Sequence, residues 1–260
     1  MKHSAYKVGF ISPPAWFDIS PYEFSRIAPK NTIVMQTVMR LPDFDYSIDQ
    51  FKNAVPELGI CFDSLVSAGT EVVAQFGYPF SLVHGWERAL QIQKDIQSGR
   101  KVEFVMMGVE VVHALRHLKC NSIAIASTYY SGKMSKILNE FLKKAGFSIL
   151  KSENWQLQGI VEDIDSHLFI GNDELDPMDW KTPAPVVKRA VRDVNINSPN
   201  ADCILVTGGG MRLLDLAASL EEEVGKPVIG GDIALYWGIL RRLNVKNKIS
   251  RHGILLSGLG

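Results

Sequence analysis

ADCILVTGGGMRLLDLAASLEEEVG, residues Ala201–Gly225, is the stretch whose reading decides the fold. Cys203–Val206 reads as a buried strand, Thr207–Gly210 as a glycine turn and Met211–Val224 as a helix. A strand that runs through glycines into a helix leaves backbone N–H groups unpaired above the turn. Glycine also lets a ligand approach the main chain closely. The stretch reads either as an anion cradle or as a tight connection that binds nothing.

Outward from this stretch, strands and helices alternate along the chain. Tyr6–Ile11 is an apolar run stopped at Ser12-Pro13-Pro14, and Asn31–Met39 is a second, β-branched strand. From Ser47 to Ala68 apolar residues recur at steps of three and four, which predicts an amphipathic helix with a kink or break at Pro56. Thr70–Phe76, Ser122–Ser127, Phe147–Trp155 and Pro227–Gly231 read as further strands, and Val102–Met107 as a strand or the lead-in to a helix. Helices are expected from His84–Glu87 to Ser98, over Lys133–Lys144, over Ala184–Val194 and over Ile233–Leu243. This alternation predicts an α/β fold of parallel sheets with helices on both faces, and seven or more strands in 260 residues suit two small sheets better than one wide one. Ligands in such folds bind beyond the C-terminal strand ends. Those ends are Ser12–Pro14, Gly77-Tyr78, Ser127–Tyr130, Thr207–Gly210 and Gly231-Asp232. The matched character of Phe76-Gly77-Tyr78 and Val206-Thr207-Gly208 hints at an internal duplication.

Composition narrows the function classes. Lys+Arg 28 and Asp+Glu 28 cancel, so no basic field recruits nucleic acid or an anionic membrane surface. No apolar run approaches the ~20 residues of a spanning helix, and no signal-peptide core is evident. Cys61, Cys120 and Cys203 share no CxxC spacing and read as reduced, buried thiols, which suggests the cytoplasm. Leu157–Trp180 carries Asp163, Asp165, Asp173, Glu174, Asp176 and Asp179 among Phe169, Met178 and Trp180. That segment reads as a solvated acidic face or a metal-binding run, and its large apolar residues suit a lid or a subunit contact, so a homodimer is an expectation. His113 and His117 lack a third ligand at metal spacing.

Several stretches, in order, resemble one known group: VGFISPPA (Val8–Ala15), VVAQFGYPFS (Val72–Ser81), SIAIASTYY (Ser122–Tyr130), QGIVEDI (Gln158–Ile164), CILVTGGGMRLLDL (Cys203–Leu216) and KPVIGGDIALYWGIL (Lys226–Leu240). They are similar to the arylmalonate decarboxylase and maleate isomerase branch of the aspartate/glutamate racemase superfamily. The resemblance implies two Rossmann-like lobes related by a pseudo-two-fold axis, with an active-site cleft between them and neither cofactor nor metal. Residues 1–116 with 228–260 form the first lobe and 117–227 the second. In the racemases and isomerases of this group two cysteines face each other across the cleft, and the decarboxylase keeps the second. Alignment of the turns places these positions at Gly77 and Gly208, so both thiols are missing here. Tyr129 matches a family tyrosine, Thr207 a hydroxyl residue before the lost cysteine, and Phe51 stands where the decarboxylase has tyrosine. Of the hydroxyls that hold a carboxylate after the first glycine, the chain offers Tyr78 and loses the other to Pro79.

The remaining chemistry points to a small carboxylate ligand. Pro13, Pro14, Gly77, Tyr78, Pro79, Tyr129, Tyr130, Thr207, Gly208, Gly209 and Gly210 would build a binding pocket of backbone N–H groups and hydroxyls. Arg212 would pair with a second carboxylate or be a solvated helix residue. For proton transfer the candidates are Asp232, Tyr129, Tyr78 and His84; His84 lies several residues beyond its turn and reads alternatively as a surface or helix-start histidine. Asp232 is read as a buried acid, as the cap of the helix beginning at Ile233, or as both. The functional expectation is a cofactor-independent decarboxylase, isomerase or lyase. The alternatives are a non-catalytic acid-binding or regulatory protein, and a pocket for a larger phosphate-bearing ligand.

Overall fold

The computed structural model describes residues 5–14, 16–128, 132–162 and 182–259. Within these the chain forms, in order, β1 (Tyr6–Ser12), α1 (Ser20–Ile27), β2 (Thr32–Val38), α2 (Ile48–Asn53), α3 (Val55–Ser67), β3 (Val72–Gln75), α4 (Pro79–Leu82), α5 (Trp86–Gln97), β4 (Glu103–Met106) and α6 (Met107–His117). It continues through β5 (Ser122–Ser127), α7 (Gly132–Lys144), β6 (Ser148–Glu153), α8 (Ala184–Ile196), β7 (Cys203–Thr207), α9 (Ala217–Val224), β8 (Val228–Gly230), α10 (Gly231–Arg242) and α11 (Ile254–Ser257). Two four-stranded sheets result, ordered β2-β1-β3-β4 and β6-β5-β7-β8, with every pairing parallel. The same order appears twice, so the duplication hinted at by the two glycine turns is present in the topology.

Burial explains which runs became central strands. β3 and β7 are buried along their whole length, and β1 and β5 nearly so, because each is flanked by strands and covered by helices on both faces. The edge strands β2 and β6 alternate or stay largely exposed. Pro56 breaks the long amphipathic pattern as expected: α2 ends at Asn53, and the proline sits in the first turn of α3, where its missing N–H costs nothing.

Two expectations are corrected. The helix expected from Met211 begins only at Ala217. The N–H groups just after the glycines are taken by non-helical acceptors: Met211 N–H donates to Gly208 O at 3.2 Å, Arg212 N–H to Gly210 O at 2.9 Å and Leu213 N–H to Asp232 Oδ2 at 2.7 Å. The glycines therefore do not sit at a helix N-terminus, and no helix end adds its N–H groups to theirs. Asp232 does not cap α10, whose N-cap is Gly230; it lies in the first turn. β8 pairs with β7 in the second sheet, and α10 follows it directly at Gly231. From there α10 packs on α6, β3 and β4. The segment His167–Trp180, with the apolar residues that suggest a homodimer contact, lies outside the described residues. Among the described residues no helix is long and apolar enough to cross a membrane.

The α6–α10 contact is fixed by a buried ion pair. Arg242 Nη1 and Nη2 donate to Glu110 Oε2 and Oε1, each at 2.9 Å, and Glu110 is fully buried. Gly238 makes room for this carboxylate, since a Cβ there would lie 2.4 Å from Glu110 Oε2. Arg242→Met leaves a buried charge without its partner and is expected to lower unfolding free energy by about 3 kcal/mol, measured by urea titration. A loss under about 1 kcal/mol would place the pair with surface ion pairs instead.

Candidate active site

A cavity of about 360 Å³ opens between the two sheets at their C-terminal strand ends. That volume suits a small-molecule ligand. Pro13, Gly77, Tyr78, Pro79, Thr207, Gly208, Gly209, Arg212 and Asp232 all line it, so the strand-end argument brings together residues from both halves of the chain. Pro14 and Gly210 do not line it. Tyr129 and Tyr130 lie outside the described residues. The rest of the wall is largely aromatic and thioether: Trp16, Phe51, Phe76 and Phe80 with Met107, Met134 and Met211. Tyr46 also lines the wall and anchors its loop by donating to Pro14 O at 2.6 Å. Asp45 and the exposed Lys133 stand at its edge.

Arg212 is neither solvated nor helical. It is 4% exposed, and its guanidinium lies 5.0 Å from the Phe76 ring centroid. Its Nε donates to Glu23 Oε2 at 3.1 Å; its Nη2 donates to the same oxygen at 2.6 Å, to Ser20 Oγ at 3.1 Å and to Tyr236 OH at 2.5 Å. Tyr236 OH in turn donates to Glu23 Oε2 at 2.9 Å. Nη1 has no hydrogen-bond partner among the described residues, so this arginine can still offer N–H donors to a carboxylate in the cavity it lines.

Asp232 is buried beside this arginine, with Oδ2 3.9 Å from Arg212 Nε. Burial raises its pKa, and the Arg212 charge pulls the other way. Its Oδ1, the Tyr78 hydroxyl and the Thr207 hydroxyl are buried and have no hydrogen-bond partner among the described residues. Buried polar atoms left unpaired are expensive, and their grouping in one cavity wall marks a place for a polar ligand or water. Burial pushes the Tyr78 phenol far up, so its hydroxyl stays neutral.

No cysteine lines the cavity. All three are buried and unbridged. Burial pushes the Cys61 thiol up to about 11, and a hydrogen bond with Cys120, together with burial, raises Cys203. The same hydrogen bond lowers Cys120, so Cys61 and Cys203 are the two whose thiols are held protonated. His84 is likewise absent from the cavity, and burial lowers its pKa. His113 contacts Glu110 at 3.2 Å, and the His117 ring lies 5.1 Å from Trp237. Among the described residues no group of three or more His, Cys, Asp or Glu could hold a metal ion.

A sequence model of arylmalonate decarboxylase matches residues 8–256. The chain belongs to the arylmalonate decarboxylase family. No curated protein matches it in sequence. Solved structures with the same fold include a serine-for-cysteine mutant of Nocardia farcinica maleate cis-trans isomerase with a covalently bound succinylcysteine intermediate, at TM-score 0.80 and 19% identity over 98% of this chain and 99% of that one. Arylmalonate decarboxylase itself aligns at TM-score 0.76 and 19% identity over 96% and 98%. The maleate isomerase Iso from Pseudomonas putida S16 aligns at 0.78 and 16% over 99% and 100%.

Within the arylmalonate decarboxylase fold, the glycines of this chain are not equivalent. Gly77 and Gly208 have φ of +110° and +121°, where side chains are strained. A Cβ at 208 would meet Thr128 Oγ1 at 2.3 Å and Cγ2 at 2.4 Å, so Thr128 occupies the space a side chain there would need. Gly209 has no such φ, and a Cβ there would approach the Trp16 ring, Cζ2 at 2.9 Å, on the cavity wall. Of the glycines in this turn, 209 is the position whose missing side chain opens the cavity. Gly208→Ala is expected to destabilise the protein by about 1–3 kcal/mol. Gly209→Ala should cost less and shift the emission of Trp16, read against a Trp16→Phe blank. Equal losses from both substitutions in chemical unfolding would contradict the assignment.

Proposed function

We propose that this chain is an enzyme that decarboxylates or isomerises a small carboxylic acid without a cofactor, using Asp232 where its relatives use a thiol. The observation that carries this is the pairing, in one cavity wall, of a buried carboxyl with raised pKa and an arginine that retains free N–H donors. Membership of the arylmalonate decarboxylase family supports the substrate class.

For a decarboxylation, Arg212 and the Tyr78 and Thr207 hydroxyls hold the carboxylate that is retained. The other carboxylate lies against the aromatic wall, where poor solvation favours loss of its charge as CO2. Cleavage of that C–C bond leaves an electron pair on the α-carbon, delocalised into the retained carboxylate as an enediolate, and the fixed donors stabilise the charge as it develops. Asp232 then delivers its proton to the α-carbon and is reprotonated from water. Isomerisation or elimination would use the same anion site, with Asp232 acting on the adjacent carbon. Tyr129, carried over from the family resemblance, is the second candidate for proton transfer.

The absence of a thiol from the cavity wall favours one alternative, a protein that binds such acids without turning them over. Assays with substituted malonates and maleate separate the two. Asp232→Asn should lower turnover on the order of 10²–10⁴-fold while a thermal-shift response to the acid persists. Because the acid form is the active one, wild-type activity should fall as pH rises through the raised Asp232 pKa, and this descending limb should vanish in the variant. Unchanged turnover in Asp232→Asn would remove the proposed role, and binding without turnover in the wild type would establish the alternative. Tyr129→Phe tests the second candidate by the same assay.

A further inference from the structure

We infer that Glu23, a residue outside the cavity wall, is the positioning residue that keeps Asp232 protonated by holding Arg212 as its own ion-pair partner. The inference rests on the proposed role of Asp232, but its test reads the carboxyl directly and needs no turnover.

Three elements converge on one charge cluster. Helix α1 contributes Glu23 and Ser20, the loop after β7 contributes Arg212 and the Leu213 N–H, and α10 contributes Asp232 and Tyr236. Met107, at the start of α6, closes the remaining side against Gly231 with an apolar thioether. The set therefore contains one guanidinium and two carboxyls, all at most 4% exposed. Two carboxylates and one cation would leave a net negative charge among side chains buried to this degree, which is strongly disfavoured. One of the acids must keep a proton.

Geometry selects which. Glu23 Oε2 takes both guanidinium contacts, at 2.6 and 3.1 Å, and the Tyr236 hydroxyl at 2.9 Å. All three donors suit an anion. Asp232 is 3.9 Å from Arg212 Nε, and its Oδ2 accepts the Leu213 N–H at 2.7 Å. Its Oδ1 has no partner among the described residues, which suits the oxygen that carries the proton. The direction of the Asp232 shift agrees: burial raises it, the Glu23 charge adds to the rise, and only Arg212 and backbone donors oppose. Burial also pushes the Tyr236 phenol up, so it stays neutral. Without the Glu23 charge, Arg212 would become the counter-ion of Asp232, which would then ionise.

The test is ¹³C NMR titration of side-chain carboxyls in the full chain, with the Asp232 signal assigned by its loss in Asp232→Asn. In the wild type the signal should titrate above the ordinary carboxylate range. In Glu23→Gln, which keeps the size of the side chain and removes its charge, the midpoint should fall by at least about one pH unit, a tenfold change in acid constant. An unchanged or raised midpoint would overturn the inference. If Glu23→Gln does not fold, Glu23→Asp draws the carboxylate back from Arg212 and should lower the midpoint by a smaller step; a folded Glu23→Asp with the wild-type midpoint overturns it equally. The two readings fail separately. A wild type without turnover but with a Glu23-dependent midpoint removes the enzymatic role alone. An Asp232-dependent reaction with a Glu23-independent midpoint removes this inference alone.

Discussion

A single buried guanidinium holds the two halves of this molecule in register around the cavity. Arg212 leaves the second sheet just after β7, yet its partners are Glu23 and Ser20 on α1 and Tyr236 on α10, and it packs over Phe76 at the end of β3. A cation taken out of water is tolerated only when its charge is met and most of its hydrogen bonds are made. Once Arg212 is committed, α1, α10 and the 211–216 segment cannot shift independently. Arg26 and Asp215 repeat the link between α1 and this segment at 2.7 and 2.9 Å, but both are exposed, and such pairs add little. The buried member sets the geometry, and the surface member follows it.

That constraint also overrides local preference. MRLLDL has the composition of a helix start, and read alone it continues into the helix that follows. In the fold its residues are claimed by tertiary partners before a helix can form: Leu213 N–H by Asp232, the Arg212 side chain by Glu23, and the Met211 and Leu214 side chains by the core. Helix propensity differs by tenths of a kcal/mol per residue, whereas leaving such groups unmet costs whole kcal/mol. The same competition explains why Asp232 gives up the capping role that its place in the sequence suggests.

Legibility in the sequence follows this division. Strands such as Ile123–Ala126 and Ile204–Val206 were readable because burial on both faces demands continuous apolar runs, and the glycine turns marked where the cavity would lie. The break at Pro56 was readable because the reason for it is local. The charge cluster was not, because Glu23 and Arg212 are 189 residues apart in the chain and each alone looks like an ordinary surface charge. Trp16, Phe80, Met107 and Met211 were missed as cavity walls for a related reason: an apolar residue facing a cavity and one facing the core carry the same sequence signal. Choosing between Gly208 and Gly209 required a backbone angle and the position of Thr128, neither of which a run of three glycines discloses.

No cysteine lines the cavity wall, and the charge cluster beside it bears on what a carboxyl would need in order to do a thiol's work in proton transfer. A thiol has an unperturbed pKa near 8.5, close enough to neutrality that modest tuning makes it a proton donor. A carboxyl starts some four units lower and is ionised at neutral pH unless its surroundings penalise the charge. Substituting one for the other is therefore not a one-residue change. It needs a site that excludes water, a neighbouring cation to bind the substrate, and a second anion to keep that cation from ionising the acid. In the proposed reading Asp232 would be the acid, Arg212 the cation and Glu23 the second anion, and none of them would suffice alone. In the proposed mechanism the acid–base function belongs to the buried set, with Asp232 as the member that delivers the proton.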